Sequence, residues 1–175
     1  NPEFIDDAFN TIDDASAKMK RMLASLRQRQ SEVESDEVVE MCGLLEAAVA
    51  TKADCQPRPH FERPAQELRV RAGRDQLQSV VQHLLQNAIE ATPVEGRVEV
   101  RVEGSASEVR TTITDTGCGM DRDFIHNRLF RPFDTTKGKA GMGIGAYESR
   151  HLIGTMQGEL LVDSEPGAGT TFTIV

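Results

Sequence analysis

Three stretches hold residues whose types and spacing suit chemistry. In QSVVQHLLQNAIEAT, residues 78–92, Val80, Val81, Leu84, Leu85 and Ala88 recur at helical spacing and make a core face. Ser79, His83, Asn87 and Glu90 follow the opposite stripe. Asparagine is a mediocre helix former, and at a buried edge its amide must find partners. Its carbonyl oxygen suits Mg²⁺, a hard ion that takes one or two protein oxygens together with phosphate oxygens and water. Taken alone, the stripe reads equally well as a solvent-facing surface.

The second stretch is EVRTTITDTGCGM, residues 108–120. Val109, Thr111, Ile113 and Asp115 share one face by period-two alternation, so a carboxylate ends a row that otherwise points at the core. A buried carboxylate needs a donor, such as the exocyclic amine of a ligand. Gly117 and Gly119 let the backbone turn and let a flat ring approach. A plain Asp-Gly turn is the equal alternative for these residues alone. The third stretch is DTTKGKAGMGIG, residues 134–145. Its glycines at 141, 143 and 145 precede a helix whose N-terminal N–H groups form an anion site. Lys137 and Lys139 add mobile charge, and Thr135 and Thr136 add hydroxyl donors. Such a loop is shaped to fold over phosphates.

Other motifs fail on context. DTG occurs once, between helices, whereas aspartic proteases pair two such carboxylates in folds made mostly of strands. Walker A is absent because Gly138-Lys139 is followed by Ala140. Gly141, Gly143 and Ala146 match a dinucleotide fingerprint, with Asp163 about twenty residues on, but no buried strand precedes them.

The elements that must position these residues follow from periodicity. Strands are expected near 38–41, at His60-Phe61, and over 68–71, 97–103, 109–115, 159–162 and 170–174. Helices are expected over 44–52, 74–91 and 143–156, with a turn at 104–107 and an irregular stretch up to Gly141. A structureless loop of that length inside a compact domain points to function. Interleaved helices and strands predict an α+β two-layer sandwich over residues 38–175. Before it, Ile5, Ile12, Met19 and Leu26 recur every seven residues and predict a long amphipathic helix over 1–30. Phe4, Phe9 and Leu23 widen its stripe beyond a two-stranded seam, which calls for a partner helix, with a helix folded back on the downstream domain as the alternative, and the polar acidic run 31–37 reads as a linker.

A net charge of −8 with scattered lysines and arginines argues against a nucleic-acid backbone binder. A triphosphate would meet repulsion of about 1 kcal/mol per charge pair at 4 Å in water, and about 4 at an effective dielectric of 20, so a divalent cation must accompany it. Cys42, Cys55 and Cys118 are odd in number and widely spaced, which predicts neither zinc nor a disulfide framework and suits a reducing compartment. No apolar run is long enough to span a membrane and no secretory signal opens the sequence.

In this order, HLLQNAIEA, DTGCGM, LFRPFDTTK and GMGIG resemble the N, G1, F and G2 boxes of the sensor histidine kinase ATPase domain, in the superfamily of Hsp90 and type II topoisomerases. GAGTTFTI resembles its closing strand, and the likeness covers roughly residues 36–175. FDTTKGKAGMGIGAYESRHLIGTMQGEL looks closest to the kinases associated with PEP-CTERM and exosortase systems, the PrsK type.

The resemblance implies ATP and Mg²⁺ as cofactors. It assigns Asn87 to the metal, Asp115 to the adenine amine, and Gly117, Gly119 and Met120 to the base pocket. Lys137 with Gly141, Gly143 and Gly145 would close over the phosphates, beside Thr135 and Thr136, and Thr170 would reach adenine through water. Asn87, Lys137 and His83 would serve catalysis. His83 stands where the family commonly has a second asparagine, and Glu90 where many members have a lysine. Residues 1–30 resemble the second helix of a dimerisation and phosphotransfer hairpin. His60, His83, His126 and His151 do not fit the phosphoacceptor pattern, so the nucleophile is expected upstream and this chain is expected to bind nucleotide without phosphorylating itself. The implied partners are a second copy, joined through the hairpin, and a response-regulator receiver domain. The implied location is the cytoplasmic part of a membrane-anchored bacterial sensor kinase. A nucleotide-gated module of the same fold without phosphotransfer is the alternative.

Overall fold

The structure is a computed structural model that describes residues 37–105, 107–134 and 143–175. All of them lie within one compact unit, Asp36–Val175. The helix expected over 1–30, most of the linker, and Thr135, Thr136, Lys137 and Gly141 lie outside the described residues.

Among the described residues the order is β1 (Glu37–Glu40), α1 (Met41–Ala50), β2 (His60–Glu62), β3 (Arg69–Ala72), α2 (Arg74–Ala91), β4 (Val98–Gly104) and β5 (Val109–Asp115). Then follow α3 (Arg122–Asn127), α4 (Gly145–Thr155), β6 (Leu160–Glu165) and β7 (Gly169–Ile174). β1 and β3 pair antiparallel as a small ribbon. The main sheet runs β2-β4-β5-β7-β6, parallel between β2 and β4 and antiparallel elsewhere.

Alternation in the strands makes this sheet one-sided. Val98, Val100 and Val102 of β4, Ile113 of β5 and Phe172 and Ile174 of β7 are buried in one core with Leu77, Val80, Val81, Leu84 and Leu85 of α2 and Ile153 of α4. The opposite face carries Glu99 and Arg101, paired at 3.0 Å, and the Thr114–Thr171 hydroxyl contact at 3.1 Å. Helices therefore cover one face only, which is the expected α+β two-layer arrangement.

Helix α2 and strand β5 have the expected bounds. Helix α1 begins at Met41, not 44, because the Glu40 carboxylate caps it, accepting from the Cys42 N–H at 3.0 Å and the Gly43 N–H at 2.6 Å. Glu37 belongs to β1 rather than to the linker. The stretch expected to be irregular contains α3, capped by Asp121, whose Oδ1 accepts from the Phe124 N–H at 2.7 Å. Strand β6 continues past 162 through Asp163, Ser164 and Glu165, which pair with Thr171, Thr170 and Gly169.

Candidate functional site

The buried face of the sheet ends in a polar row. Asp115, Thr170 and Ser164 stand directly opposite one another on β5, β7 and β6, one step beyond the apolar row Ile113, Phe172 and Val162. Residues in direct cross-strand register share a face, so these three side chains are neighbours at the sheet's end. All three are buried, Asp115 to 4% exposure. Burial pushes the Asp115 carboxyl above its ordinary value of 3.8, and the backbone N–H groups of Gly117 and Thr170 pull it back.

The loop after β5 is held at fixed points. Gly117 N–H donates to Asp115 Oδ1 at 2.8 Å, Cys118 N–H to the Ala91 carbonyl at 3.1 Å, and Met120 N–H to Ser164 Oγ at 2.9 Å. The Cys118 carbonyl accepts from Gly167 N–H at 2.8 Å. Gly119 has φ +65°, and a Cβ there would meet the Glu165 carbonyl oxygen. At Gly117 a Cβ would meet the Ala91 carbonyl. Both glycines are thus required by close backbone approach, and the loop lies against the C-terminal end of α2.

Ala91 is one turn beyond Asn87, which places the amide near that loop. Asn87 Nδ2 lies 2.8 Å from His83 Nε2 one turn back. An amide NH₂ only donates, so His83 accepts through Nε2 and the Asn87 carbonyl oxygen faces away from the imidazole. The His83 ring in turn occupies the space where a Cβ on Gly145 would fall. Gly145 opens α4, so the N-terminus of that helix can approach α2 because this residue has no side chain. Further along α2, Glu90 accepts from Gln86 Nε2 at 2.7 Å, and Gln86 Oε1 accepts from Lys52 Nζ at 2.8 Å.

The two ends of segment 135–142 are pinned together. Phe133 N–H donates to the Gly143 carbonyl at 2.9 Å, and Gly143, with φ +61°, lies so close to the Asp134 backbone that a Cβ would strike it. Arg128 grips Asp134 with Nε at 2.9 Å from Oδ2 and Nη2 at 2.6 Å from Oδ1. That fork lowers the Asp134 carboxyl below its ordinary range.

Of the residues singled out in the sequence, Asp115, Gly117, Gly119, Met120 and Thr170 gather at the end of β5. Asn87, His83 and Gly145 gather at the adjoining junction of α2 with α4, and Gly143 closes the segment before that helix. Ser164 and the Phe133–Gly143 clasp were not anticipated. Period-two alternation of Leu160, Val162 and Ser164 carries a signal for the first, once β6 is allowed to run through its polar end.

These boxes match the family model described as histidine kinase-, DNA gyrase B-, and HSP90-like ATPase over residues 72–175, and the chain belongs to that family. It is 30% identical to the signal transduction histidine-protein kinase AtoS of Escherichia coli over 178 aligned positions, covering 99% of this chain and 28% of that protein. Sporulation kinase A of Bacillus subtilis is 28% identical over 99% of this chain and 29% of its own length. The chain therefore spans less than a third of these relatives. The mycobacterial sensor histidine kinase MprB shares the fold at a TM-score of 0.70 and 23% identity, over 80% of this chain and 95% of that one.

The donor set fits an adenine nucleotide with a hard cation. A buried acceptor stands at the strand end, two glycines pack the loop after it against the Ala91 and Glu165 backbones, and the Asn87 amide lies one helical turn from that loop. Among the described residues, no cluster of three or more His, Cys, Asp or Glu could cage a metal alone. No described helix is long and apolar enough to cross a membrane.

Proposed function

We propose that this chain is the ATP-binding catalytic region of a two-component sensor histidine kinase, placing the γ-phosphoryl of Mg-ATP for transfer to a histidine outside residues 1–175. The observation that carries it is the meeting of the Asp115 end of β5 with the Asn87 turn of α2, through the Cys118–Ala91 hydrogen bond. Asp115 accepts the adenine amine, Gly117, Gly119 and Met120 flank the base, and Thr170 supports it. The Asn87 oxygen holds Mg²⁺, which supplies charge neutralisation across the phosphate oxygens when bound. Thr135, Thr136, Lys137, Gly141, Gly143 and Gly145 serve the phosphates. His83 fixes the direction of the Asn87 amide rather than touching the reacting atoms.

Catalysis in this reading is position and electrostatics, since phosphoryl transfer asks little covalent chemistry of the protein. The phosphoryl then passes to an aspartate of a response-regulator receiver domain. Residues 1–30 contribute to a dimerising helical hairpin, and the chain forms the cytoplasmic portion of a membrane-anchored kinase. The narrower likeness to PEP-CTERM-associated kinases is part of the proposal and rests on residues 133–160.

Calorimetry with ADP, with and without Mg²⁺, tests the assignment. Asp115→Asn is expected to weaken ADP at least tenfold in both conditions, and Asn87→Ala to remove only the gain that Mg²⁺ brings, since a hydrogen bond to a charged group contributes about 1.5–3 kcal/mol. Wild-type affinity in Asp115→Asn, or an undiminished Mg²⁺ gain in Asn87→Ala, overturns it. With ATP labelled at the γ-phosphorus, residues 1–175 are expected to retain no label.

A further inference from the structure

The row Asp115, Thr170, Ser164 has a hydrogen-bond assignment with one solution. Ser164 Oγ lies 2.9 Å from the Met120 backbone nitrogen, 2.8 Å from the Gly169 carbonyl oxygen and 2.9 Å from Thr170 Oγ1. A serine hydroxyl has one proton and two lone pairs. The Gly169 carbonyl can only accept, so it takes the Ser164 proton. The Met120 N–H can only donate, so it fills one lone pair. The other lone pair is left for Thr170, whose hydroxyl must donate to it. Both hydroxyls are buried, where an unmade hydrogen bond is costly, so the pattern is held.

Thr170 then has only lone pairs to offer anything else. Asp115, its neighbour in the row, is also an acceptor when ionised. We infer that Ser164 is a positioning residue for base selection: by taking the Thr170 proton it leaves that wall of the pocket with acceptors alone, which favours a purine with an amine at C6 over one with a carbonyl there. This rests on the reading of Asp115 as the base-binding carboxylate. An amine brings protons to these acceptors, whereas a C6 oxygen placed directly against them meets like partners and loses its own hydrogen bonds. Ser164 touches no ligand in this scheme and acts through Thr170.

The probe is a pair of nucleotides, ADP and inosine diphosphate, which exchange an amine for a carbonyl at C6 and, with it, a lone pair for an N–H at N1, so the C6 contact is read from the change in their affinity ratio between variants. Affinities for both are measured by calorimetry on residues 1–175, for wild type, Ser164→Ala and Thr170→Val. In Ser164→Ala the Thr170 proton is released and can reach the C6 oxygen, so the inosine-to-adenosine affinity ratio is expected to rise about threefold to tenfold, the effect of one hydrogen bond. Thr170→Val removes the opposing lone pairs without supplying a proton, and is expected to raise the ratio by less. Equal losses for both nucleotides in Ser164→Ala would mean a merely structural role and overturn the inference. If Ser164→Ala does not fold by circular dichroism, Thr170→Val decides, and an unchanged ratio overturns it. Asp115→Asn in the same titrations separates the two readings. An unaltered ADP affinity there overturns both, while a loss there with flat ratios in the other variants overturns this one alone.

Discussion

At the scale of single residues, Asp115 carries the tension between stability and function. Its carboxyl is buried and its pKa stands above the ordinary 3.8, with burial the largest cause. The sign follows from linkage: a raised folded-state pKa favours the folded state below 3.8, and that contribution is lost as pH rises through the folded-state value. Above that value the buried charge works against the folded state. Asp115→Asn should therefore raise the melting temperature of the nucleotide-free chain at pH 7.5. The gain should vanish as the buffer is taken toward pH 3.8. Saturating ADP should reverse the order, since only the wild type gains the full binding energy. Scanning calorimetry across pH reads this, and a variant less stable at pH 7.5 without nucleotide would contradict it. The Arg128–Asp134 fork is a different case, because it is exposed to solvent and an ion pair there contributes little to stability.

Among elements, the junction of α2 with α4 depends on a missing side chain. Helix propensity alone says that alanine is better than glycine by up to about 1 kcal/mol at a helical position. The contact says the opposite, because a Cβ on Gly145 would fall on the His83 ring. Overpacking of this kind costs about 1–3 kcal/mol, so Gly145→Ala should lower the urea midpoint, and His83→Ala added to it should recover most of the loss. A Gly145→Ala variant more stable than wild type would show that propensity wins. The same elements explain what was legible in the sequence. Helix α2 and strand β5 have long, unbroken periods and were readable to their ends. Helix α1 starts three residues before its period shows, because glutamate is an unusual cap, and α3 has no readable period, because six residues hold less than two turns. Strand β6 reads as ending at Val162, because Asp163, Ser164 and Glu165 resemble a turn and only their pairing with β7 makes them strand.

Across the described unit, a sheet covered on one face leaves its helical side as the place where a site can form, and the site lies where that face changes from apolar to polar. Asp115, Asn87 and the glycines were legible because each breaks a local period. Ser164 and the Phe133–Gly143 clasp were not, since cross-strand register and loop closure are absent from a linear pattern. The central claim is that one nucleotide reaches from the β5 end to the α2 turn, with Mg²⁺ offsetting the repulsion expected of a chain with net charge −8. Amide NMR on the isotope-labelled chain tests this most directly, by adding adenosine, then ADP, then Mg²⁺. Adenosine is expected to shift the Gly117, Gly119 and Thr170 backbone amides, and the Asn87 side-chain amide is expected to respond only when diphosphate and Mg²⁺ are both present. Saturation with Mg-ADP that leaves Gly117, Gly119 and Asn87 unmoved while another surface shifts would contradict it.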